Sequence, residues 1–326
     1  MTGGQTGVGN TPVQNSIRAN TLIDWLSYTG AANDGMQELW RGEDMLPWTL
    51  HDGPGRYGYS TRFLLASCEL WQDGPGDTDH VDLSGKACRD LEMMAGNVVA
   101  PFDWQAHLAW LLDSGRKISR LDYSIDLQGP GVSVSEFADA IREGRIISRW
   151  KAENAVEMRS VRPDLKAGHT LYLGSTASDA RLIIYDKKAE QQSEGESWVR
   201  IEMRCRHATA QAMTSAIAQG GMRAGTRALN GYVRFLDSTG NTLPIWEIAT
   251  SQCSTSPLAV HQRGGTLEST RAWIHTQVAM SIALLLDLEG GDLDFLTNLV
   301  AEGKICYTAR HKSIIAAAKA RQNPNS

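Results

Sequence analysis

The most constraining feature of this 326-residue chain is a pair of strand patterns between residues 181 and 206. Residues 198–206 alternate strictly between polar and apolar side chains, as expected for a β-strand whose two faces differ. The polar face of this strand carries Trp198, Arg200, Glu202, Arg204 and Arg206. A carboxylate among three arginines is unusual for a plain core sheet. It suits a surface that holds a phosphodiester and a metal ion.

A second alternating strand covers residues 119–127. Its period of two places Arg120, Asp122, Ser124 and Asp126 on one face. Two carboxylates are costly to bury without partners, and a divalent cation such as Mg²⁺ or Mn²⁺ would satisfy them. An exposed face with an ion pair between Arg120 and Asp122 is the alternative. Glu202 offers a third acidic group on a similar face and favours the metal hypothesis.

Asp24 is a fourth candidate acid, since it interrupts the apolar strand of residues 22–26. It could join the acidic cluster as a metal ligand. The alternative is a strand-end aspartate that caps a turn.

Tyr185 is the candidate nucleophile. Residues 181–187 are predicted to form a strand that puts Arg181 and Tyr185 on the same face as Lys187, with Lys188 just beyond. A phenol ionises only near about pH 10, so a nucleophilic tyrosine needs a cation or base nearby, and these lysines or a metal could supply it. Glu190 could orient a lysine or accept a proton. Alternatively, Tyr185 is an ordinary strand aromatic and Glu190 a solvated residue at a helix start.

Composition excludes several classes of protein. No run of eighteen apolar residues is present, and the Gly/Thr-rich N-terminus does not resemble a signal peptide, so no membrane association is expected. Five scattered cysteines without C-x-x-C spacing fit a reducing cytoplasm and argue against a zinc cluster. The net charge of −5 counts against an indiscriminate nucleic-acid binder but allows a local basic groove with salt-sensitive affinity.

The order of predicted elements indicates an α+β fold with a central, mostly antiparallel sheet, flanking helices and a mainly helical C-terminal region. Residues 1–20 are predicted to be a disordered tail, 21–207 a catalytic domain and 208–326 the helical region. Within the sheet we expect one strand over residues 61–71 and a hairpin formed by 170–174 and 181–187. The sequence shows no internal repeat. A basic helix over 307–321 could contact the DNA backbone or be solvated.

Known catalytic fingerprints are missing: there is no serine hydrolase elbow, P-loop, dinucleotide fingerprint or paired-histidine metal motif. An ordered set of short motifs resembles the replication initiation factor family instead, which comprises pT181-type plasmid Rep proteins, filamentous-phage initiators and related conjugative relaxases. The motifs are Asp24-Trp-Leu-Ser-Tyr-Thr29, Ser84-Gly-Lys-Ala-Cys-Arg89, Arg120-Leu-Asp-Tyr-Ser-Ile-Asp126, Leu171-Tyr-Leu-Gly-Ser175, Ile184-Tyr-Asp-Lys-Lys188 with Glu190, Arg200-Ile-Glu-Met-Arg204 and Trp273-Ile-His-Thr-Gln-Val278.

The resemblance implies an enzyme that nicks and rejoins origin DNA for rolling-circle replication. The tyrosine of the family's Tyr-x-Lys motif matches Tyr185, which would attack one phosphodiester of single-stranded or hairpin DNA and keep the 5′ phosphate. Asp122, Asp126 and Glu202, with Asp24 as a fourth acid, would hold Mg²⁺ or Mn²⁺ against the scissile phosphate. The arginines expected to contact DNA are Arg120, Arg181, Arg200 and Arg204. The acidic net charge departs from the more basic character usual for such initiators.

Several alternatives stay open at this level. A conjugative relaxase would use the same chemistry at a transfer origin. A non-catalytic DNA-binding regulator could keep the fold, and an unrelated metal-dependent phosphodiesterase would use water as the nucleophile. The C-terminal helices could read DNA bases, bind a host helicase or form a homodimer, and the sequence does not choose among these.

Overall fold

The computed structural model describes residues 17–32, 48–53, 55–74, 76–98, 102–151, 153–158, 168–251, 254–260, 271, 274–307, 312 and 315. The chain forms two compact units, residues 1–261 and 262–326. Most of the predicted tail lies outside the described residues, but its last residues do not, because the first strand begins at Arg18.

The first unit is built on a ten-stranded sheet in which every neighbouring pair is antiparallel. Its strands are β1 (Arg18–Ala31), β2 (Thr49–Leu50), β3 (Thr61–Leu65), β4 (Cys68–Gln72), β5 (Thr78–Leu83), β6 (Lys117–Gln128), β8 (Glu153–Met158), β9 (Gly168–Leu173), β10 (Ala180–Asp186) and β11 (Trp198–Arg206). The spatial order is β2-β3-β4-β5-β1-β6-β11-β10-β9-β8, which places β1 and β6 at the centre. A separate two-stranded sheet pairs β7 (Ile146–Ser148) with β12 (Val233–Phe235).

Seven helices accompany the sheets in the described part of this unit. They are α1 (Gly85–Val98), α2 (Trp104–Asp113), α3 (Val134–Arg142), α4 (Lys187–Glu190), α5 (His207–Gly220), α6 (Met222–Tyr232) and α7 (Pro244–Thr250). Asp103 is the N-cap of α2, since its side chain accepts a hydrogen bond from the Ala106 amide. The α+β class with a mostly antiparallel sheet and flanking helices is also confirmed.

The core forms on the apolar face of the central strands. Alternate residues of β6 and β11 are completely buried, and they belong to the same hydrophobic cluster as residues of α1, α2 and α5. Tyr123 is fixed in this core, because its hydroxyl donates to the carbonyl oxygen of Met222 at 2.9 Å and lies 2.6 Å from Oγ1 of Thr226. One face of the sheet therefore packs in the core, and the charged residues of the same strands lie on the other face.

Two predicted elements differ from the structure. The strand expected over residues 61–71 is a hairpin of β3 and β4, because Ala66 takes a positive φ of 51° and reverses the chain. The helical stretch expected over residues 208–236 ends at Tyr232, and the next three residues form β12. The predicted hairpin of residues 170–174 and 181–187 is confirmed as β9 and β10.

The second unit is helical where it is described. A π-helical segment (Ile274–Val278) leads into α8 (Ala279–Leu288), and α9 (Leu293–Ile305) follows. The predicted basic helix over residues 307–321 lies almost entirely outside the described residues. Among the described residues, no helix has the length and apolar character needed to cross a membrane.

The close approach of α6 to β6 gives a stability prediction. A Cβ added at Gly225 would lie 2.5 Å from Cε2 of Tyr123, whose hydroxyl is held by two hydrogen bonds. Gly225→Ala should therefore lower the free energy of unfolding by about 1–3 kcal/mol, as overpacking does. The matched control is Gly303→Ala in α9, where no atom lies within 4 Å of the new Cβ. There alanine should stabilise the helix by up to about 1 kcal/mol. Urea unfolding of both variants tests the contrast, and a stabilised Gly225→Ala protein would contradict it.

Candidate active site

The register of β10, β11 and β6 assembles the predicted polar residues on one sheet face. Arg200 lies opposite Asp126, Glu202 opposite Ser124 and Arg204 opposite Asp122. On the other side of β11, Tyr185 lies opposite Arg200 and Arg181 opposite Arg204. Directly paired residues project to the same side of an antiparallel sheet. The two alternation patterns in the sequence therefore describe one continuous surface.

Asp24 reaches this surface from β1 through an irregularity in the strand. The pairing of β1 with β6 shifts between Ile23 and Trp25, so Asp24 is the additional residue of a bulge. The first residue of α1 lies against it, because a Cβ added at Gly85 would stand 2.9 Å from Oδ1 of Asp24. The absence of a side chain at Gly85 leaves room for the Asp24 carboxylate.

Arg200 connects three adjacent strands. Its Nε and one terminal nitrogen donate to both oxygens of Asp126 on β6, at 2.6 and 2.8 Å. Its other terminal nitrogen donates to Oδ1 of Asp24 on β1 at 2.7 Å. The side chain is only 7% exposed. This buried guanidinium therefore fixes the relative positions of two carboxylates, and bidentate arginine–carboxylate geometry is strong and directional.

A second ionic group lies beside it on the same strands. Nε of Arg120 donates to Oδ1 of Asp122 at 3.0 Å, and Nε of Arg204 lies 3.3 Å from the other oxygen of Asp122. Arg204 also donates to Oε1 of Glu202 at 2.9 Å. Arg120 lies over the ring of Trp25, with 3.8 Å between Cζ and the ring centroid. The face thus carries four carboxylates and three arginines in contact.

Two of these carboxylates retain unused oxygens. Burial raises the pKa of Glu202 above its ordinary value, and the negative charge of Asp122 adds to this effect. Burial also raises the pKa of Asp24; the positive charge of Arg200 partly offsets this effect, and the negative charge of Glu202 adds to it. Within the described residues, Oδ2 of Asp24 and Oε2 of Glu202 accept no hydrogen bond. A cation between these groups would relieve their repulsion.

Two of the four carboxylates on this face suit a divalent metal ion and two do not. Among the described residues, no group of three or more His, Cys, Asp or Glu side chains stands ready to enclose an ion. Mg²⁺ usually binds through one or two carboxylates together with substrate phosphates and water, so Asp24 and Glu202 fit this mode. Asp126 fits it less well because both of its oxygens bind Arg200. Asp122 is likewise held by two arginines.

Tyr185 lies next to these charges, at the end of β10. Burial raises the pKa of its phenol above the usual value near 10, and the charges of Glu202 and Asp24 raise it further. Arg200 acts in the opposite direction. The Nζ of Lys187 lies 5.5 Å from the centroid of the Tyr185 ring and forms an ion pair of 2.6 Å with Glu190. The phenol is therefore held protonated in this charge distribution, and added positive charge would favour its ionisation.

The remaining predicted residues are placed less centrally. Lys188 is half-buried and donates to the carbonyl oxygen of Gly195, on the loop before β11, so it does not join the tyrosine. Arg181 lies over the ring of Tyr172, 4.2 Å from its centroid, at the outer edge of the surface. Lys187 opens α4 and is buried, and the exposed Glu190 forms an ion pair with it, so the hypothesis that Glu190 orients a lysine stays a prediction.

The surface also contains buried polar atoms without partners among the described residues. Oγ of Ser124, Nε of Arg181 and Nε1 of Trp198 are buried and make no hydrogen bond. The alternation of β6 and β11 predicts Ser124 and Trp198 on this face, but no sequence pattern assigns either residue a role. Buried polar atoms are normally hydrogen-bonded, so these three atoms are available to contact a polar ligand on this face.

The chain is similar to known replication proteins in sequence and in fold. The family described as replication initiation factor matches residues 116–300. The protein named "Putative DNA relaxase NicK" of Bacillus subtilis (strain 168) is 24% identical over 281 residues, which is 80% of this chain and 78% of that protein. The solved structure of a rolling circle replication initiator protein from Geobacillus stearothermophilus has a TM-score of 0.61 at 20% identity. That match covers 75% of this chain and all of the other, and it shows a shared fold.

The bridging role of Arg200 gives a prediction for stability. Arg200→Met should lower the free energy of unfolding by about 3–5 kcal/mol, because it leaves two buried carboxylates without their cation. The control is Arg142→Gln, which removes an exposed pair between a 71% exposed arginine and a 49% exposed Asp139. That change should cost at most about 1 kcal/mol. Chemical denaturation measures both, and equal losses would show that Arg200 is not a structural bridge.

The raised pKa of Glu202 gives a prediction for pH dependence. A carboxyl whose pKa is higher in the folded state contributes stability at low pH, and this contribution is lost as the pH rises through the folded-state pKa. Glu202→Gln removes the ionisation, so without metal the variant should gain stability relative to wild type between pH 5 and pH 8. Thermal unfolding in EDTA at both pH values measures this change, with Glu196→Gln, an exposed partner of Arg18, as the control. Added Mn²⁺ should stabilise wild type more than Glu202→Gln. If the stability difference between Glu202→Gln and wild type does not change with pH, the pKa of Glu202 is not raised in the folded protein.

Proposed function

This chain belongs to the replication initiation factor family, and on that premise we propose that it nicks one strand of an origin DNA and becomes joined to it through Tyr185. The observation that carries the proposal is the position of Tyr185 directly opposite Arg200, the residue that also holds Asp24 and Asp126. A nucleophile, a buried cation and a set of acids on one sheet face match the needs of phosphodiester transfer.

The reaction is a transesterification that conserves phosphate bonds. The phenol oxygen of Tyr185 forms a bond to the scissile phosphorus, and the bond from phosphorus to the 3′ oxygen breaks. The DNA then carries a free 3′ hydroxyl, and its 5′ phosphate is esterified to the tyrosine. The phenol loses a proton to solvent and the departing 3′ oxygen gains one, so no oxidant, reductant or further reactant is needed. Attack by a 3′ hydroxyl on the phosphotyrosine reverses the step and rejoins DNA.

The residues around Tyr185 have distinct roles in this proposal. Arg200 and the buried Lys187 place positive charge near the phenol, which favours the phenolate. Glu190 holds Lys187 in place through its ion pair. The half-buried Lys188 acts outside the reacting centre, where it holds the loop before β11 through the Gly195 carbonyl. Arg120, Arg181 and Arg204 are positioned to contact the strand of DNA on either side.

Asp24 and Glu202 are the acids best suited to hold Mg²⁺ or Mn²⁺. A bound divalent cation supplies Lewis acidity to the scissile phosphate and offsets the negative charges that raise the pKa of Tyr185. Asp122 and Asp126 support this pair indirectly, because they fix Arg204 and Arg200. The predicted four-acid ligand set thus becomes two ligands and two positioning acids in this proposal.

A relaxase acting at a transfer origin is the second candidate. The similarity to NicK over most of both chains favours it, and the chemistry is the same. The two candidates differ in the DNA that is cut rather than in the active site. A non-catalytic regulator is less well supported, because the tyrosine and the acids are all present on one face.

The tyrosine mechanism predicts a covalent adduct. Supercoiled and single-stranded DNA carrying the origin of the source replicon, and separately its transfer origin, would be incubated with the protein and Mn²⁺. Wild type should give a metal-dependent nick and a denaturant-resistant protein–DNA adduct. Tyr185→Phe should lose both by at least about 10³-fold, because it lacks the attacking oxygen.

Tyr172→Phe is the matched control, since it removes a hydroxyl from the same sheet face on β9 while keeping the ring. It should form the adduct at a rate close to wild type. A nick that survives in Tyr185→Phe would transfer the chemistry to another tyrosine or to water. Binding without any nick would support the regulator.

A further inference from the structure

The ten-stranded sheet contains a topological repeat that the sequence does not show. From the central pair, β1 is followed outward by β5, β4, β3 and β2, and β6 is followed by β11, β10, β9 and β8. Along the chain, each half starts with its central strand and then crosses to the outermost strand. The following strands are added inward one by one, until the last lies beside the central strand. A helix follows each return strand, α1 after β5 and α5 after β11. The two halves are therefore related by a pseudo-twofold axis between β1 and β6.

The residue registers of the two halves coincide. Ser124 faces Glu202 in the second half, and Ser27 faces Asp82 in the first. The acids Glu202 and Asp82 each follow a cationic or titratable residue by two positions. That residue in turn lies opposite an aromatic residue on the next strand outward. These pairs are Arg200 with Tyr185 and His80 with Trp71. All of these residues lie on the same face of one sheet. The first half thus holds a counterpart of the active site.

The counterpart lacks the group needed for cleavage. Trp71 takes the place of Tyr185, and an indole has no oxygen to form a phosphate ester. The acids of this half are already used to hold aromatic rings. Oδ1 of Asp82 accepts from Nε1 of Trp25 and from Oγ of Ser27, both at 2.7 Å. Oε2 of Glu69 accepts from Nε1 of Trp71 at 3.1 Å. The counterpart therefore holds aromatic rings rather than a nucleophile. Trp71 and His80 are buried and Tyr57 is exposed.

Arginines and aromatic rings dominate this part of the face. Cζ of Arg62 lies 5.2 Å from the ring centroid of Trp71, and Cζ of Arg56 lies 4.5 Å from that of Tyr57. His80 packs against Tyr57, with 5.5 Å between the ring centroids. The ring of Tyr57 is 56% exposed, and the buried Nε of Arg62 has no hydrogen-bond partner among the described residues. Rings for stacking and arginines for phosphates are the features of single-strand binding surfaces.

We propose that this counterpart, the N-terminal aromatic surface formed by Trp25, Arg56, Tyr57, Arg62, Trp71 and His80, binds single-stranded DNA without cutting it. The inference rests on the proposed function and extends it. The surface holds one arm of the strand that is cut at Tyr185. Five strand spacings separate β4 from β10, or about 24 Å, so the arm extends several nucleotides from the scissile phosphate. Its contacts are mainly stacking contacts, which fits the low basicity of the chain.

The test measures the half-saturating DNA concentration for adduct formation by the full chain. The substrates are oligonucleotides centred on the mapped nick, intact or shortened on one side or the other to about three nucleotides. For wild type, shortening one particular arm should raise the half-saturating concentration about ten-fold or more, as loss of stacked bases does. In Tyr57→Leu and Arg56→Gln, the half-saturating concentration for DNA shortened on that arm should approach the value for intact DNA, so that their ratio falls towards one. Arg142→Gln, on an exposed face of α3, is the control and should keep the wild-type ratio.

Photo-cross-linking locates the arm directly. Iodouracil placed at successive positions of that arm should cross-link to peptides containing Tyr57, Trp25 or Trp71. Unchanged ratios in both variants, or cross-links confined to β6 and β9–β11, would overturn the inference while adduct formation still supported the proposed function. Absence of any adduct in wild type would instead refute the proposed function. A variant that fails to fold would form no adduct even with intact DNA, which is why two exposed positions are changed separately.

Discussion

The buried guanidinium of Arg200 is the interaction on which the site depends. It binds both oxygens of Asp126 on the neighbouring strand and one oxygen of Asp24 on the strand beyond. Without it, the face would bring together carboxylates that repel each other in a poorly solvated environment. With it, three strands are held in register, and Tyr185 lies beside a permanent positive charge. Structural and chemical roles thus meet in one side chain.

The balance of charge on this face holds the phenol of Tyr185 protonated. Arginines neutralise Asp122 and Asp126, but Glu202 and Asp24 keep raised pKa values and unused oxygens. The same two acids raise the pKa of the phenol that would attack. The site is therefore arranged so that cation binding and tyrosine ionisation favour each other. Such an arrangement sacrifices some stability for function, as active sites commonly do.

The sequence predicted the second half of the sheet better than the first. Strict alternation in β6 and β11 correctly assigned Asp122, Asp126, Glu202 and the arginines to one face, because that pattern depends only on the geometry of a strand. The bulge that directs Asp24 into the site leaves no such pattern, since its residue breaks the alternation. The turn at Ala66 was also hidden, because alanine rarely adopts a positive φ. The side chain of Lys188 is oriented by its hydrogen bond to the carbonyl oxygen of Gly195, and no local sequence pattern predicts that contact. His80 and Asp82 do alternate in the sequence, but only the pairing of β5 with β1 shows that they share the catalytic face.

The central position of β1 has a consequence for how the protein is made. Asp24 and Arg200 are 176 residues apart, and their contact closes across the middle of the sheet. At ribosomal rates of roughly 5–20 residues per second, the second partner is synthesised about 10–35 s after the first. β5 and β6 are synthesised within this interval, but Asp24 and Asp126 have no guanidinium until Arg200 follows. A nascent or prematurely terminated chain therefore lacks the bridge that assembles the candidate active site. The topology itself delays assembly of this site until β11 has been synthesised.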